Sequence, residues 1–536
     1  MSITSANTNG FAAGVLAGLN RKLSAAAAAH GMPSSAMEVR LDHHYSAKAY
    51  TSGSGLSGHV VIRPARDTRF DSLQVLLMGV SQTRLDGVHA PSATQHTFLR
   101  LEMPIPDAAY PVPRVYEAGR VYAVPFNFVV PSYLTLSACS HRIESEAVSG
   151  HHLCIPPSLG GVPFSSSSSS SSSWDRDDMA PDMARVEYTI RARLYRDEEL
   201  GKKRTRILEA SQAFNVLPAF SEQPPLNITP GDSLYTMSKT KSVRKSILSP
   251  KTGKVTLTAA QPGAVMLSPD GSTGTATSAR IDLTYESSPS SSSSHSLPKV
   301  TEVTSKVSAV TFFGSGAIKD LPNMGNWVRT YGAEGRGSYT YNTSLGTTAV
   351  EGVEWRKQPI SAAPARRDSG YGSDMAADHS DHSVPSGRRW SSSSSSSKSS
   401  ASKPSSSPSV CHTASIQVPV QLPTHKRMFV PTFHSCIVSR VYVLWLTVTV
   451  ASGGGSSSAK TTLGVPLQIG VEPDGGADPA GDGTRPPSFE AAMEEAEAEA
   501  FLRPRTLYVP EVEFERHALP GYGDSVGWRT AAAAGA

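Results

Sequence analysis

The stretch Tyr122-Ala-Val-Pro-Phe-Asn-Phe-Val-Val-Pro131 constrains the fold more than any other segment of its length. Val124, Phe126, Phe128 and Val130 stand two apart, so an extended strand turns all four to one face and Asn127 to the other. Phe126 and Phe128 are therefore expected to be buried. Pro125 and Pro131 bracket the run, and a residue without an N–H belongs at a sheet edge or a strand end. A second signal, Val438-Ser-Arg-Val-Tyr-Val-Leu-Trp-Leu-Thr-Val-Thr-Val450, is dense in β-branched and aromatic residues. Two such segments, far apart in the chain, predict an all-β protein of two immunoglobulin-like antiparallel sandwiches.

The rest of the chain fills in that outline. Residues 38–41, 59–62, 73–80, 98–101, 186–195 and 206–216 read as strands of the first sandwich, separated by turns, with no convincing amphipathic helix. Residues 255–258, 279–285, 299–313, 415–420, 440–450 and 463–469 read as strands of the second. This places the first sandwich at 37–217, a linker at 218–226 and the second sandwich at 227–471. Serine tracts at 165–173, 287–294 and 391–400 cannot bury apolar area, so they read as solvated loops, with disordered insertions at about 286–298 and 358–410. Residues 1–36 and 472–536 read as disordered ends. The first contains no acidic residue and so faintly resembles a transit peptide.

With 39 prolines, 43 glycines and only 18% charged residues among 536, about a third of the chain is expected to lack structure. The net charge of +4 does not imply a nucleic-acid partner. Four scattered cysteines are too few for a disulfide scaffold, which points to a reduced, intracellular chain. No apolar run is long enough to span a bilayer.

Several segments resemble fungal α-arrestins, the arrestin-related trafficking adaptors. They are Pro125–Pro131, Cys139-Ser-His141, His151-His-Leu-Cys-Ile-Pro-Pro-Ser-Leu-Gly160, Asp178–Tyr188 and Pro431-Thr-Phe-His-Ser-Cys-Ile-Val-Ser-Arg-Val-Tyr-Val-Leu444. The resemblance covers most of 37–220 and, more weakly, 225–471. It implies the arrestin fold and adaptor work: binding the cytosolic tail of a membrane transporter or receptor and recruiting a HECT-type ubiquitin ligase for endocytosis. The implied location is cytoplasmic, peripheral at the plasma membrane or endosome. An arrestin-fold scaffold or sorting-coat component acting without a ligase is the alternative.

Family ligase contacts run through tail Pro-Pro-x-Tyr motifs, whose aromatic ring enters a WW domain. Here Pro486-Pro487-Ser488-Phe489 keeps the ring without its hydroxyl, and Leu519-Pro520-Gly-Tyr522 replaces the first proline. Val130-Pro-Ser-Tyr133 has a similar form but sits at a strand end, where burial is expected. Glu490–Ala500 is the best helix former in the chain and reads as a solvated acidic helix. The basic run Lys202, Lys203, Arg204 and Arg206 is a candidate patch for acidic cargo or an anionic membrane surface, with a solvated hairpin as the equal alternative. Further basic residues gather at Lys239, Lys241, Arg244 and Lys245. Ser369, Ser373 and Ser391 follow the patterns of kinase sites or a phosphodegron.

Cys139-x-His141 and His152-x-Cys154 offer four zinc-type ligands in two pairs. Ligands two apart on a strand lie roughly 7 Å from each other, and a buried reduced cysteine is more often plain packing. No metal and no cofactor is therefore expected. No nucleophile elbow, dinucleotide fingerprint, phosphate loop or zinc-protease motif occurs, so no enzyme is expected.

Overall fold

The structure is a computed structural model. It describes residues 35–474 except 86–90, 142, 144, 161–173, 198–203, 230, 245, 247–250, 289–296, 326, 328–334, 360–409 and 453–457. Met1–Asp474 forms one compact unit and Gly475–Ala536 a separate one; the latter lies outside the described residues.

The described chain is almost entirely β. Its N-terminal part contains β1 (Ala36–Leu41), β2 (Ala49–Tyr50), β3 (Gly55–Arg63), β4 (Thr68–Arg69), β5 (Ser72–Leu85) and β6 (Ser92–Met103). These are followed by β7 (Val115–Tyr116), β8 (Tyr122–Val129), one helix α1 (Glu146–Leu153), β9 (Ala184–Asp197) and β10 (Arg204–Val216). The strands form a three-stranded sheet in the order β1-β3-β8, a five-stranded sheet β2-β10-β9-β5-β6 and the small pair β4-β7.

The C-terminal part begins with β11 (Ser238–Arg244), β12 (Lys251–Ala259), β13 (Val265–Leu267), β14 (Thr277–Ser287), β15 (Lys299–Gly314) and β16 (Arg336–Ala349). It continues through β17 (Arg356–Pro359), β18 (Val410–Val420), β19 (Phe433–His434), β20 (Val438–Ala451), β21 (Ser458–Leu467) and β22 (Ile469–Val471). One sheet runs β11-β12-β14-β18-β17. A second runs β16-β15-β20-β19, with β21 also paired to β20, and β13 pairs β22. The ladders are antiparallel except the short β2–β10 and β13–β22 pairings.

The opening segment lies where its pattern puts it. β8 is an edge strand paired to β3, with Pro125 opposite His59. Val124, Phe126, Phe128 and Val130 are buried, while Asn127 is exposed. Their side chains share a core with Val75, Leu77 and Ile190 of the five-stranded sheet, so the two sheets pack face to face.

β20 obeys a different rule, because both of its faces are covered. Tyr442, Leu444, Leu446 and Val448 point into the main core, whereas Val441 and Val443 join a second cluster with Val310, Phe312, Tyr235, Ile318 and Trp327. A strand buried on both sides reads as a continuous apolar run rather than an alternation.

No described sheet draws strands from both sides of residues 217–237, yet one apolar core runs through both parts. The segment expected as a linker is tied down. Phe220 and Val471 exchange both backbone hydrogen bonds at 2.9 Å, and the Gln223 amide donates to Gln468 Oε1 at 3.0 Å.

Candidate functional site

The two parts meet along a junction held by polar groups. At its centre Arg440 is completely buried. Its Nε donates to Thr311 Oγ1 at 2.9 Å, Nη1 to the Asp178 carbonyl at 3.0 Å and Nη2 to the Met179 carbonyl at 3.3 Å. The Asp178 carboxylate accepts from the Gly160 and Ala180 amides at 2.7 and 3.0 Å. Burial pushes the Asp178 carboxyl up, opposed by the Arg440 charge and those two amides. Met179 holds a left-handed backbone, φ 59°, a conformation that costs a non-glycine residue about 1–3 kcal/mol. The turn it makes aims its carbonyl and that of Asp178 at the guanidinium.

Around this centre the same segment continues to bridge. The Met428 amide donates to the Asp177 carbonyl at 3.0 Å, and Arg427 pairs with the Asp177 carboxylate. Arg176 Nη1 donates to the Thr424 carbonyl at 2.5 Å. On another side Thr83 and Thr94 donate to the carbonyls of Gly314 and Ser315 at 2.8 and 3.0 Å.

A second polar cluster lies where α1 meets β19. Cys139 closes the 3-10 turn Leu136–Ala138, His141 follows two residues later, and His152 stands in the last turn of α1. Cys436 enters from the connection between β19 and β20. One ligand atom from each lies within 4.8 Å of the others, and among the described residues these four could hold a metal ion. Cys139 Sγ is 3.7 Å from His141 Nε2 and 3.6 Å from His152 Nδ1. His152 is 1% exposed and its Nε2 has no hydrogen-bond partner. Burial, with neighbouring histidines adding to it, pulls His152 down to about 4, and burial pushes the Cys139 and Cys436 thiols up.

The strand spacing that argues against a metal here does not apply, because Cys139 is in a turn and His152 in a helix. Three of the four ligand-type residues singled out by spacing come together. The fourth does not: Cys154 caps α1 and turns its thiol to the Gly150 carbonyl at 3.5 Å. Cys436 takes that place. It lies 298 residues beyond Ala138, so no local spacing could have signalled it. Beside the cluster, His151 and His434 meet edge to face, with ring centroids 5.3 Å apart. Both line a cavity of about 160 Å³ together with Phe220, Tyr235, Asn323 and Gln468.

The other sequence candidates fare unequally. Arg204 pairs with Asp197 at 3.4 Å and stacks on Tyr195, and Arg206 pairs with Glu209. Glu209 also accepts from Arg193 at 2.9 Å. Glu209 is shared by Arg191, Arg193 and Arg206, so these pairings offset the charge of the run only in part; Lys202 and Lys203 lie outside the described residues. Tyr133, expected to be buried, is 72% exposed, because the chain leaves the sheet after Val129 and the ring points away from the core. The tail motifs at 486–489 and 519–522, the acidic segment at 490–500 and Ser369, Ser373 and Ser391 all lie outside the described residues.

No protein-family model matches the chain, and no curated protein matches it. Among the described residues no helix is long and apolar enough to cross a membrane.

Proposed function

We propose that the chain is an arrestin-like adaptor that couples a membrane cargo protein to a HECT-type ubiquitin ligase for ubiquitylation and endocytosis. One observation carries this reading. Four of the five segments whose residues resemble α-arrestins, widely separated in the chain, converge on one junction. Asp178 and Met179 meet Arg440, Cys139 meets Cys436, and His151 meets His434. Segregated sheets on either side of residues 217–237 are what a bilobal arrestin fold requires. In this reading the junction fixes the two lobes, which together present the cargo surface, and the tail presents the ligase motifs.

In this reading the hairpin arginines, partly offset by Asp197 and Glu209, belong to the cargo surface, and ligase recruitment rests on the tail. A tail peptide covering 510–530 should therefore bind a HECT-ligase WW domain in isothermal titration, and Tyr522→Ala should abolish that binding. Loss of an aromatic anchor from a small interface costs about 2 kcal/mol or more, enough to erase a micromolar contact. Phe489→Ala should weaken the intact tail further, since linked sites raise effective concentration. Both motifs depart from Pro-Pro-x-Tyr, which favours one second reading: an arrestin-fold scaffold or sorting-coat component that works without a ligase. Silence of both motifs against a panel of WW domains would select it.

A further inference from the structure

We propose that Cys139, His141, His152 and Cys436 bind one structural zinc ion that ties the N-terminal and C-terminal parts of the fold together. The inference stands whether or not the chain is an adaptor.

The separations around Cys139 are those a tetrahedral site would need. Zinc–sulfur and zinc–nitrogen bonds of about 2.3 and 2.0–2.1 Å place sulfur and nitrogen ligands about 3.6 Å apart along a tetrahedral edge. The two sulfur–nitrogen separations at Cys139 are 3.7 and 3.6 Å. Both separations match that edge, and all four ligand atoms lie inside 4.8 Å.

The hydrogen-bonding state of the cluster points the same way. Buried polar groups are normally satisfied by stronger bonds than thiol contacts. The buried His152 meets Cys139 Sγ through Nδ1 at 3.6 Å, and Cys436 Sγ lies beside Cys139 and 4.0 Å from the Ala138 carbonyl. Thiol–imidazole contacts are weak hydrogen bonds that do not offset the desolvation of two rings.

Two thiols and two neutral imidazoles are the borderline-soft set that selects zinc over magnesium or calcium. On binding, each thiol loses its proton to solvent and each sulfur donates a pair to the metal. No oxidant is needed. Two thiolates cancel the dication, so the loaded site is neutral and its burial avoids the cost of an isolated charge. Four protein ligands leave no open position, which makes the site structural rather than catalytic. Because three ligands come from before residue 217 and one from after residue 237, the ion closes a loop of roughly 300 residues, where a clip constrains the unfolded chain strongly.

The full-length chain, purified under reducing conditions without chelator, should carry about one zinc per molecule by elemental mass spectrometry. Cys139→Ser and Cys436→Ser should bring zinc to background, while Cys154→Ser should retain it. Should the serine variants fail to fold, the wild-type protein still decides. Exchange with cobalt should give the visible bands and sulfur-to-metal charge transfer of a tetrahedral thiolate site. Cys139 and Cys436 should resist alkylation until a chelator is added. The proposal is overturned by a natively purified chain that holds no zinc and takes up no cobalt. It is equally overturned by zinc loss in Cys154→Ser as complete as in Cys436→Ser, or by a Cys139–Cys436 disulfide in that preparation.

Discussion

Two buried polar clusters join the same two parts of this molecule, and they are built in opposite ways. The Arg440 cluster is complete within the chain. The guanidinium brings its own charge, and the acceptors at Thr311, Asp178 and Met179 lie at hydrogen-bonding distance. The Cys139 cluster holds only weak sulfur contacts at 3.6–4.0 Å and one orphaned ring nitrogen. Burial alone is thus not what makes a polar junction stable. One cluster was given its cation by the sequence, and the other has the donors for a cation it must acquire.

The largest effect is expected at Arg440. Arg440→Met leaves the buried Thr311 hydroxyl and the Asp178 and Met179 carbonyls without this donor and removes the charge near the Asp178 carboxyl; at about 1–3 kcal/mol for each stranded group, the loss should reach about 3–5 kcal/mol. Denaturant unfolding should show a loss at the top of that range; an unchanged midpoint would mean the guanidinium contributes no net stability. Next in size is metal removal. With zinc at 1,000 times its dissociation constant the linkage is worth about 4 kcal/mol, so a chelator should lower the thermal midpoint of the wild-type chain and leave Cys436→Ser unmoved. Away from the junction, Phe126→Ala tests whether an ordinary core position matters comparably. On an edge strand with one covered face the cost should fall near about 3 kcal/mol, the low end for such truncations. Smallest of all, Arg204→Ala removes a half-exposed ion pair and should cost below about 1 kcal/mol, diminishing further in salt. If that change rivals Phe126→Ala, the pairing with Asp197 is more than a surface contact.

The legible parts of the fold are those where one local rule decides. β8 announces itself through alternation, and β20 through a β-branched and aromatic run covered on both faces. β16 is illegible for a physical reason. Tyr339, Tyr341, Thr343 and Leu345 alternate on its half-buried face, but this edge strand is otherwise mostly Gly, Ser, Thr and Asn, so its hydrophobicity is too low to mark it. α1 is similarly mute, since Glu-Ala-Val-Ser-Gly-His-His-Leu carries no apolar stripe. The candidate site is half legible. Cys139, His141 and His152 draw attention through spacing, but the same spacing nominates Cys154. Residues two apart do not share a helix face, and the end of α1 turns Cys154 away. Cys436 could not be found by spacing at all.

That long separation has a consequence in time. Cys139 and its two histidines leave the ribosome long before Cys436 exists. At 5–20 residues per second, the 284 residues from His152 to Cys436 (436 − 152) take roughly 14–57 s to synthesise. For that interval a thiol and two imidazoles stand half-assembled at the rim of the first set of sheets, open to oxidants and to any passing soft metal. The last strands to be made are therefore also the ones that close the site, and the chain cannot complete its junction until β20 has emerged.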